Sequence, residues 1–165
     1  MELETKRLRI IPLTTKQLQL WLESIPHLTE ELECFYPSGM LEGKLKEAVA
    51  AQLEMAKTDK ENSQWHTFWF LLRQVDRMAI GAVDFKNAPN AAGEVEIGYG
   101  LGKAFENQGY MTEAVEALCQ WAKAQPGVRY VLAETELANI ESENILQQCG
   151  FTAESKNAKT IKWRL

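Results

Sequence analysis

Residues 94–114 read EVEIGYGLGKAFENQGYMTEA. Alternation over Glu94–Leu101 predicts a strand with Glu94 and Glu96 on one face and Val95, Ile97 and Tyr99 on the other. If the strand stays regular, the glutamate face continues through Gly98, Gly100 and Gly102. A strand stripped of side chains along one face lets another backbone or a ligand come close; Gly98 could also mark a bulge. Further on, Val115, Leu118, Cys119 and Ala122 predict a helix over about 109–125, ended by Pro126-Gly127. Gly109 stands at its start, where unpaired backbone N–H groups and the positive end of the helix dipole coincide. The unit is thus either a cradle for a diphosphate or a plain helix start with a packing glycine. It is neither a GxxxxGK(S/T) loop nor a GxGxxG that opens a helix.

Outward from this stretch the period changes from element to element. Residues 3–11 read as a first strand, and Thr14 or Thr15 offers a cap for a helix carrying Leu18, Trp21, Leu22 and Ile25. Pro26 is expected to stop that helix. A loop holding Glu30, Glu31, Glu33, Phe35, Tyr36 and Pro37 should lead to a second helix over about 41–57. Trp65–Gln74 and Met78–Lys86 read as a hairpin, and Val128–Leu137 as the strand after the central helix. A short helix over about 142–149 should end at Gly150, with Phe151 supplying the hydrophobic contact of the cap. Two strands fit about 151–155 and 159–165, with Asn157 in the turn. The order is β-α-α-β-β-β-α-β-α-β-β. It predicts an α+β fold with a mixed, mostly antiparallel sheet of about seven strands and helices over both faces. One parallel pair, with a right-handed crossover, is expected across Glu94–Leu137.

At 165 residues the chain is expected to form one domain, 1–165, with no need of a disulfide or metal to hold its core. No apolar run approaches the roughly 18 residues of a membrane span, and no signal peptide is apparent, so a cytoplasmic protein without membrane partner is expected. Net charge is −5 and the basic residues are scattered, which disfavours nucleic acid as a partner. Three distant cysteines, two histidines and three aspartates give no metal-ligand cluster, so no metal is expected. The absence of a phosphate-loop lysine and of a suitable magnesium aspartate also argues against a small nucleotide-binding protein.

A second informative stretch is NIESENILQQCGF, residues 139–151. Asn139 and Ser142 could simply start a helix. Taken together, EIGYGL at 96–101, NQGYMTEA at 107–114, this stretch, and the opening LETKRLRIIPLT resemble the GNAT superfamily of N-acetyltransferases. The closer likeness is to the branch of ribosomal-protein N-terminal alanine and serine acetyltransferases. The resemblance covers nearly the whole chain.

That resemblance implies a sheet whose fourth and fifth strands splay, with the pantetheine arm of acetyl-CoA, or another short acyl-CoA, in the gap. The family's Gln/Arg-x-x-Gly-x-Gly/Ala loop aligns with Glu106 through Met111, departing at Glu106 and Met111. Ile97, Gly98, Tyr99, Leu101, Asn107, Gln108, Gly109, Tyr110, Met111, Thr112 and Asn139 are the implied cofactor contacts. A backbone N–H near Ile97–Tyr99 would receive the acyl oxygen. Glu96 matches the general base, with Glu94 as the backup on the same face, and Ser142 matches the donor to the departing CoA sulfur. The implied activity is transfer of an acetyl group to a primary amine, by direct attack within a ternary complex. The acceptor is a small molecule or a protein or peptide N-terminus. A catalytically silent domain that holds acyl-CoA as sensor or scaffold is the alternative.

For the acceptor, Phe35, Tyr36, Trp65 and Trp69 are the candidate contacts. With Glu30, Glu31 and Glu33 they would form an acidic, aromatic rim suited to a cationic amine, or a solvated loop over core aromatics. His66 is read as structural. The chain could act as monomer or homodimer.

Overall fold

The computed structural model describes residues 1–165. Its sheet has eight strands: β1 (Leu3–Glu4), β2 (Leu8–Pro12), β3 (Phe68–Arg73), β4 (Met78–Phe85), β5 (Glu94–Leu101), β6 (Tyr130–Glu136), β7 (Thr152–Lys156) and β8 (Thr160–Arg164). They lie in the order β1-β2-β3-β4-β5-β6-β8-β7. Every neighbouring pair is antiparallel except β5 and β6. The expected first strand is two strands, which raises the count from about seven to eight. Thr5 and Arg7 leave the strand line to bind Glu113, and Thr5 N–H closes a turn onto the Leu8 carbonyl at 2.9 Å.

Five α-helices cover the faces: α1 (Thr15–Glu23), α2 (Ile25–Leu32), α3 (Gly43–Thr58), α4 (Tyr110–Lys123) and α5 (Ile140–Gln148). Thr14 caps α1 through a reciprocal pair of bonds with Gln17. Pro26 does not simply follow a stop. It lies in the first turn of α2, where a missing N–H costs nothing, so Glu30 and Glu31 ride on a helix and not in a loop. Trp65 closes a 3-10 segment, Lys60–Trp65, instead of opening β3. Gly150, at φ +91°, and Phe151 end α5 by bonding back to the Gln147 and Leu146 carbonyls, as a Schellman cap requires.

Two apolar cores flank the sheet. Leu18, Trp21, Leu28, Val49 and Leu53 from α1–α3 pack with Phe68, Phe70 and Leu72. On the other face, Val115, Leu118 and Ala122 of α4 pack with Trp69, Leu71, Val95 and Ile97. β3 is therefore buried on both sides from Phe68 to Leu72, with successive residues sent to opposite cores. No helix is long and apolar enough to cross a membrane.

Candidate active site

β5 and β6 hydrogen-bond only at their beginnings. Cα partners run Glu94 to Tyr130, Val95 to Val131 and Glu96 to Leu132, and pairing then ceases. Residues Ile97–Leu101 of β5 continue to pair with β4, from Phe85 to Gly81. A wedge therefore opens between two parallel neighbours, as the resemblance implies for its fourth and fifth strands. The edge of β5 facing β6 is left with backbone groups available to a ligand.

The wedge leads to a groove of about 340 Å³ between the N-terminus of α4 and the side of α5. Leu101, Asn107, Gly109, Tyr110, Met111 and Thr112 line it from one side, with Glu141, Asn144, Ile145 and Gln148 opposite. Asn107 (φ +60°) and Gly109 (φ +81°) are both left-handed, which turns the chain sharply into α4. No side chain caps the first turn of α4, so its N–H groups face the groove without an internal partner. Glu106 is not among the lining residues, and Glu141 of α5 is the one carboxylate that lines the groove.

The other sequence-derived contacts fall outside this groove. Gln108 presents its carbonyl to Arg7 Nη1 at 2.8 Å and sends its side chain to the Ala104 carbonyl. Ile97 is buried in the core below α4. Gly98 faces Asp84 and Lys86: a Cβ built there would lie 2.8 Å from Asp84 Oδ1 and 2.7 Å from Lys86 Cε. In the glycine run, only Gly100 meets nothing within 4 Å.

Asn139, not Ser142, caps α5: its Oδ1 accepts the Ser142 backbone N–H at 3.1 Å. The Ser142 hydroxyl is thereby free of the capping role. It lies 2.5 Å from the Tyr99 hydroxyl, which reaches α5 from the unpaired part of β5. Burial pushes the Tyr99 hydroxyl up from its ordinary range, outweighing the bond to Ser142, so it stays protonated at neutral pH.

The two glutamates of β5 differ. Glu94 accepts from Asn90 Nδ2 at 3.2 Å and Arg164 Nη2 at 3.0 Å, and these hydrogen bonds hold its carboxyl below the usual range. Glu96 is half-buried. Burial first, and then the negative charge of Glu134, push its carboxyl up against the opposing pull of Lys86 and Lys162.

A second, larger cavity of about 510 Å³ opens on the α1–α3 face of the sheet. Tyr99, Gly100 and Leu101 line it, and Leu101 also lines the groove, so the end of β5 borders both spaces. Its aromatic walls are Trp21, Tyr36, Phe68 and Phe70, and its charged corner pairs buried Asp84 with exposed Lys86. Of the four expected acceptor contacts only Tyr36 lines it. Phe35 is 66% exposed outside it. Trp65 and Trp69 belong to the opposite core, 4.9 and 4.8 Å from the Trp121 ring. The reason is strand alternation: Phe68 and Phe70 face the cavity, so Trp69 cannot. Of the two readings of the nearby glutamates, an acidic rim or a solvated stretch, the cavity lining supports the second. Glu31 pairs with Lys16 at 2.7 Å, Glu33 lies 3.6 Å from Arg77, and neither they nor Glu30 line the cavity. His66 is buried against Asp59, at 3.0 Å.

Asp84 was legible as the lone acid inside the apolar run of β4, although nothing local says which face it takes. Phe68 and Phe70 carry no sequence signal that separates them from Trp69.

Residues 7–152 match the acetyltransferase (GNAT) domain family. This chain belongs to the GNAT acetyltransferase family. A curated relative, the uncharacterized N-acetyltransferase YjdG of Bacillus subtilis, is 28% identical over 95 residues. The match covers 58% of this chain and 56% of that protein, so the chain spans little more than half of the relative's length. Among solved structures, a GNAT-family acetyltransferase from Bacillus anthracis superposes with a TM-score of 0.66 at 15% identity, over 100% of this chain and 98% of that one. The ribosomal-protein-S5-alanine acetyltransferase of Vibrio fischeri gives 0.70 at 15% identity, over 100% and 96%. RimL, a ribosomal L7/L12 α-N-protein acetyltransferase in complex with coenzyme A, gives 0.67 at 17% identity, over 100% and 97%. These three likenesses show the GNAT fold.

Proposed function

We propose that this chain is an acetyl-CoA-dependent N-acetyltransferase that acts by direct attack of a primary amine within a ternary complex. The single observation that carries this reading is the wedge between β5 and β6, opening onto a groove that ends at the uncapped N-terminus of α4. The residues present suit an acyl-CoA. First-turn amides of α4, with Asn107 and Gly109 shaping the approach, can hold a diphosphate without any side-chain charge. The unpaired edge of Ile97–Leu101 can bond the pantetheine amides. When bound, acetyl-CoA supplies an activated acetyl group.

The chain's own groups then divide the work. A backbone N–H near Ile97–Tyr99 bonds the acyl oxygen as it gains charge, a contact worth roughly 3–4 kcal/mol in comparable sites. Glu96 accepts a proton from the amine through water. Its raised basicity suits that task better than Glu94, whose carboxylate is held ionised by Arg164 and Asn90. Ser142 and Tyr99 form a hydroxyl pair beside the wedge that can donate to the departing sulfur. The amine reaches this point through the larger cavity. The new bond joins the amine nitrogen to the acetyl carbon, the carbon–sulfur bond breaks, and CoA leaves as its thiol.

A thermal-shift screen followed by thiol release tests this. Acetyl-CoA at 100 times its Kd should add about 2.7 kcal/mol of stability, and ATP should add none. Thiol release with an amine acceptor is the expected second result. Stabilisation without turnover of any amine would leave an acyl-CoA sensor or scaffold instead, and no stabilisation by CoA would overturn both readings.

A further inference from the structure

The larger cavity has walls and charges that point to one class of occupant. Trp21, Phe68, Phe70 and Tyr36 form a fixed aromatic wall. Trp21 Nε1 donates to the Tyr36 hydroxyl at 3.0 Å, the Tyr36 ring stacks on Phe70 at 6.1 Å, and Trp21 meets Phe70 edge-on at 4.6 Å. Leu45 and Ala79 extend the apolar surface. Such a pocket takes a bulky apolar group without rearranging.

Its charges are two lysines against one aspartate. Asp84, only 4% exposed, is already occupied, with Lys86 Nζ at 3.4 Å and Gln52 Nε2 at 3.3 Å. Lys44, in the first turn of α3, lines the cavity and belongs to none of the protein's ion pairs. The lining thus has an excess of one positive charge, and its one carboxylate is spoken for. A dicationic or polycationic amine would find like charge and no free counter-ion. An amine that brings its own carboxylate would find Lys44 unpaired, with Lys86 beside it.

We infer that the acetyl acceptor is an amino acid, or a similar amino-carboxylate, with a bulky apolar side chain. The side chain lies against Trp21, Tyr36 and Phe70, the carboxylate is matched by Lys44, and the amine points to Tyr99–Leu101, at the end of β5 that borders both cavity and groove. The product is the N-acetylated acid, with CoA as the free thiol and the amine proton passed through water to Glu96, which itself lines neither the cavity nor the groove. This assignment rests on the acetyltransferase reading.

The test uses the full chain. Thermal shift with acetyl-CoA comes first, then thiol release with L-phenylalanine, L-tryptophan and L-methionine, each beside its amide, and with spermidine and short peptides beginning in Ala or Ser. Calorimetry of the free acids on the CoA-loaded protein gives a readout independent of turnover. The free acids should exceed their amides at least tenfold in kcat/KM, and should bind the CoA-loaded protein where the amides do not. Lys44→Ala should cut that acid-over-amide ratio at least fivefold through the KM of the acid, and Lys44→Arg should restore most of it. Amides, spermidine or peptides used as well as the acids would overturn the assignment, as would failure to bind or turn over any of the acids. So would a Lys44→Ala variant that weakens acid and amide alike. If acetyl-CoA itself fails to stabilise the protein, the acetyltransferase reading falls, and that result is distinct from all of these.

Discussion

Arg7 and Glu113 meet across 106 residues of sequence at the root of the α4 loop. Arg7 Nε donates to Glu113 Oε2 at 2.8 Å, and the Arg7 backbone N–H donates to Oε1 at 2.7 Å. The same guanidinium donates from Nη1 to the Gln108 carbonyl and lies 4.2 Å from the centre of the Tyr110 ring. One arginine thus ties the first strand region to both sides of Gly109. Burial pushes the Glu113 carboxyl up, but hydrogen bonds from Thr5 and Arg7 outweigh it and hold it below the ordinary range. A group depressed in this way stabilises the fold above its unfolded value, about 4.3, and the contribution is lost as pH falls through the lower folded value. Glu113→Gln should therefore cost roughly 1–3 kcal/mol at neutral pH and progressively less in acid, as denaturant melts at several pH values would show. Because the clamp shapes the loop at Gln108–Tyr110, Arg7→Ala should also raise the Kd for acetyl-CoA while leaving that for the acceptor nearly unchanged. Equal affinity for acetyl-CoA in the variant would reduce the clamp to a stabilising contact.

Glu96 and Glu94 share a strand face and are separated by environment. The unprotonated form of Glu96 is the base, so kcat should rise with pH through its raised value and level off above it. Glu96→Gln should lower kcat by about 10²–10⁴-fold, flatten that limb of the profile, and leave acetyl-CoA affinity unchanged, since the groove is built from backbone. Glu94→Gln should keep the limb, because Arg164 and Asn90 already hold Glu94 ionised across it. A pH–rate series on both variants decides this: the same limb in the Glu96 variant would exclude that residue as base.

The Tyr99–Ser142 hydroxyl pair, 2.5 Å apart, forms one donor unit drawn from two elements. Ser142→Ala and Tyr99→Phe should each slow turnover modestly, because a thiolate can leave without help. The double variant should lose little more than the worse single one, since groups that share one bond are not additive. Fully additive losses in a kinetic double-mutant cycle would mean that the two hydroxyls act separately.

Much of this site could be read from local sequence. Residues 94–114 are a strand, a left-handed turn and a helix start, and each announces itself by alternation, by glycine and by apolar spacing within twenty residues. The parallel β5–β6 pairing follows from the same stretch, because a strand–helix–strand crossover leaves little choice. What stayed hidden depends on partners far along the chain. Phe68, Trp69 and Phe70 are three aromatics in a row, and only the packing of α1 and α4 on opposite faces decides which of them line the cavity. Pro26 is equally suited to follow one helix or to begin another, and the short link at Ser24 makes it begin α2. Asn139 and Ser142 are both good caps; the chain enters α5 one turn earlier than Ser142 suggests, and that frees its hydroxyl for Tyr99. Arg7, Lys44 and Asp84 acquire meaning only through contacts or cavities that the fold assembles.

Gly98 and Gly100 make the last prediction, since they sit two residues apart on one face with opposite surroundings. A Cβ at Gly98 would come within 2.8 Å of Asp84 Oδ1, and moving Asp84 aside would strain its bonds to Gln52 and Lys86. The Lys86 end can swing away; the short aspartate moves only at that cost. Gly98→Ala should therefore destabilise by about 1–3 kcal/mol, with a matching fall in Tm, and should disturb the acceptor cavity. A Cβ at Gly100 meets nothing within 4 Å, so Gly100→Ala should fold with nearly wild-type stability. It would instead fill space at the end of β5 that borders cavity and groove, and should raise the KM of acceptor or acetyl-CoA. Thermal melts and steady-state kinetics on the two variants give opposite signatures under this reading. A stable, fully active Gly100→Ala protein would show that no substrate passes close to that face of β5.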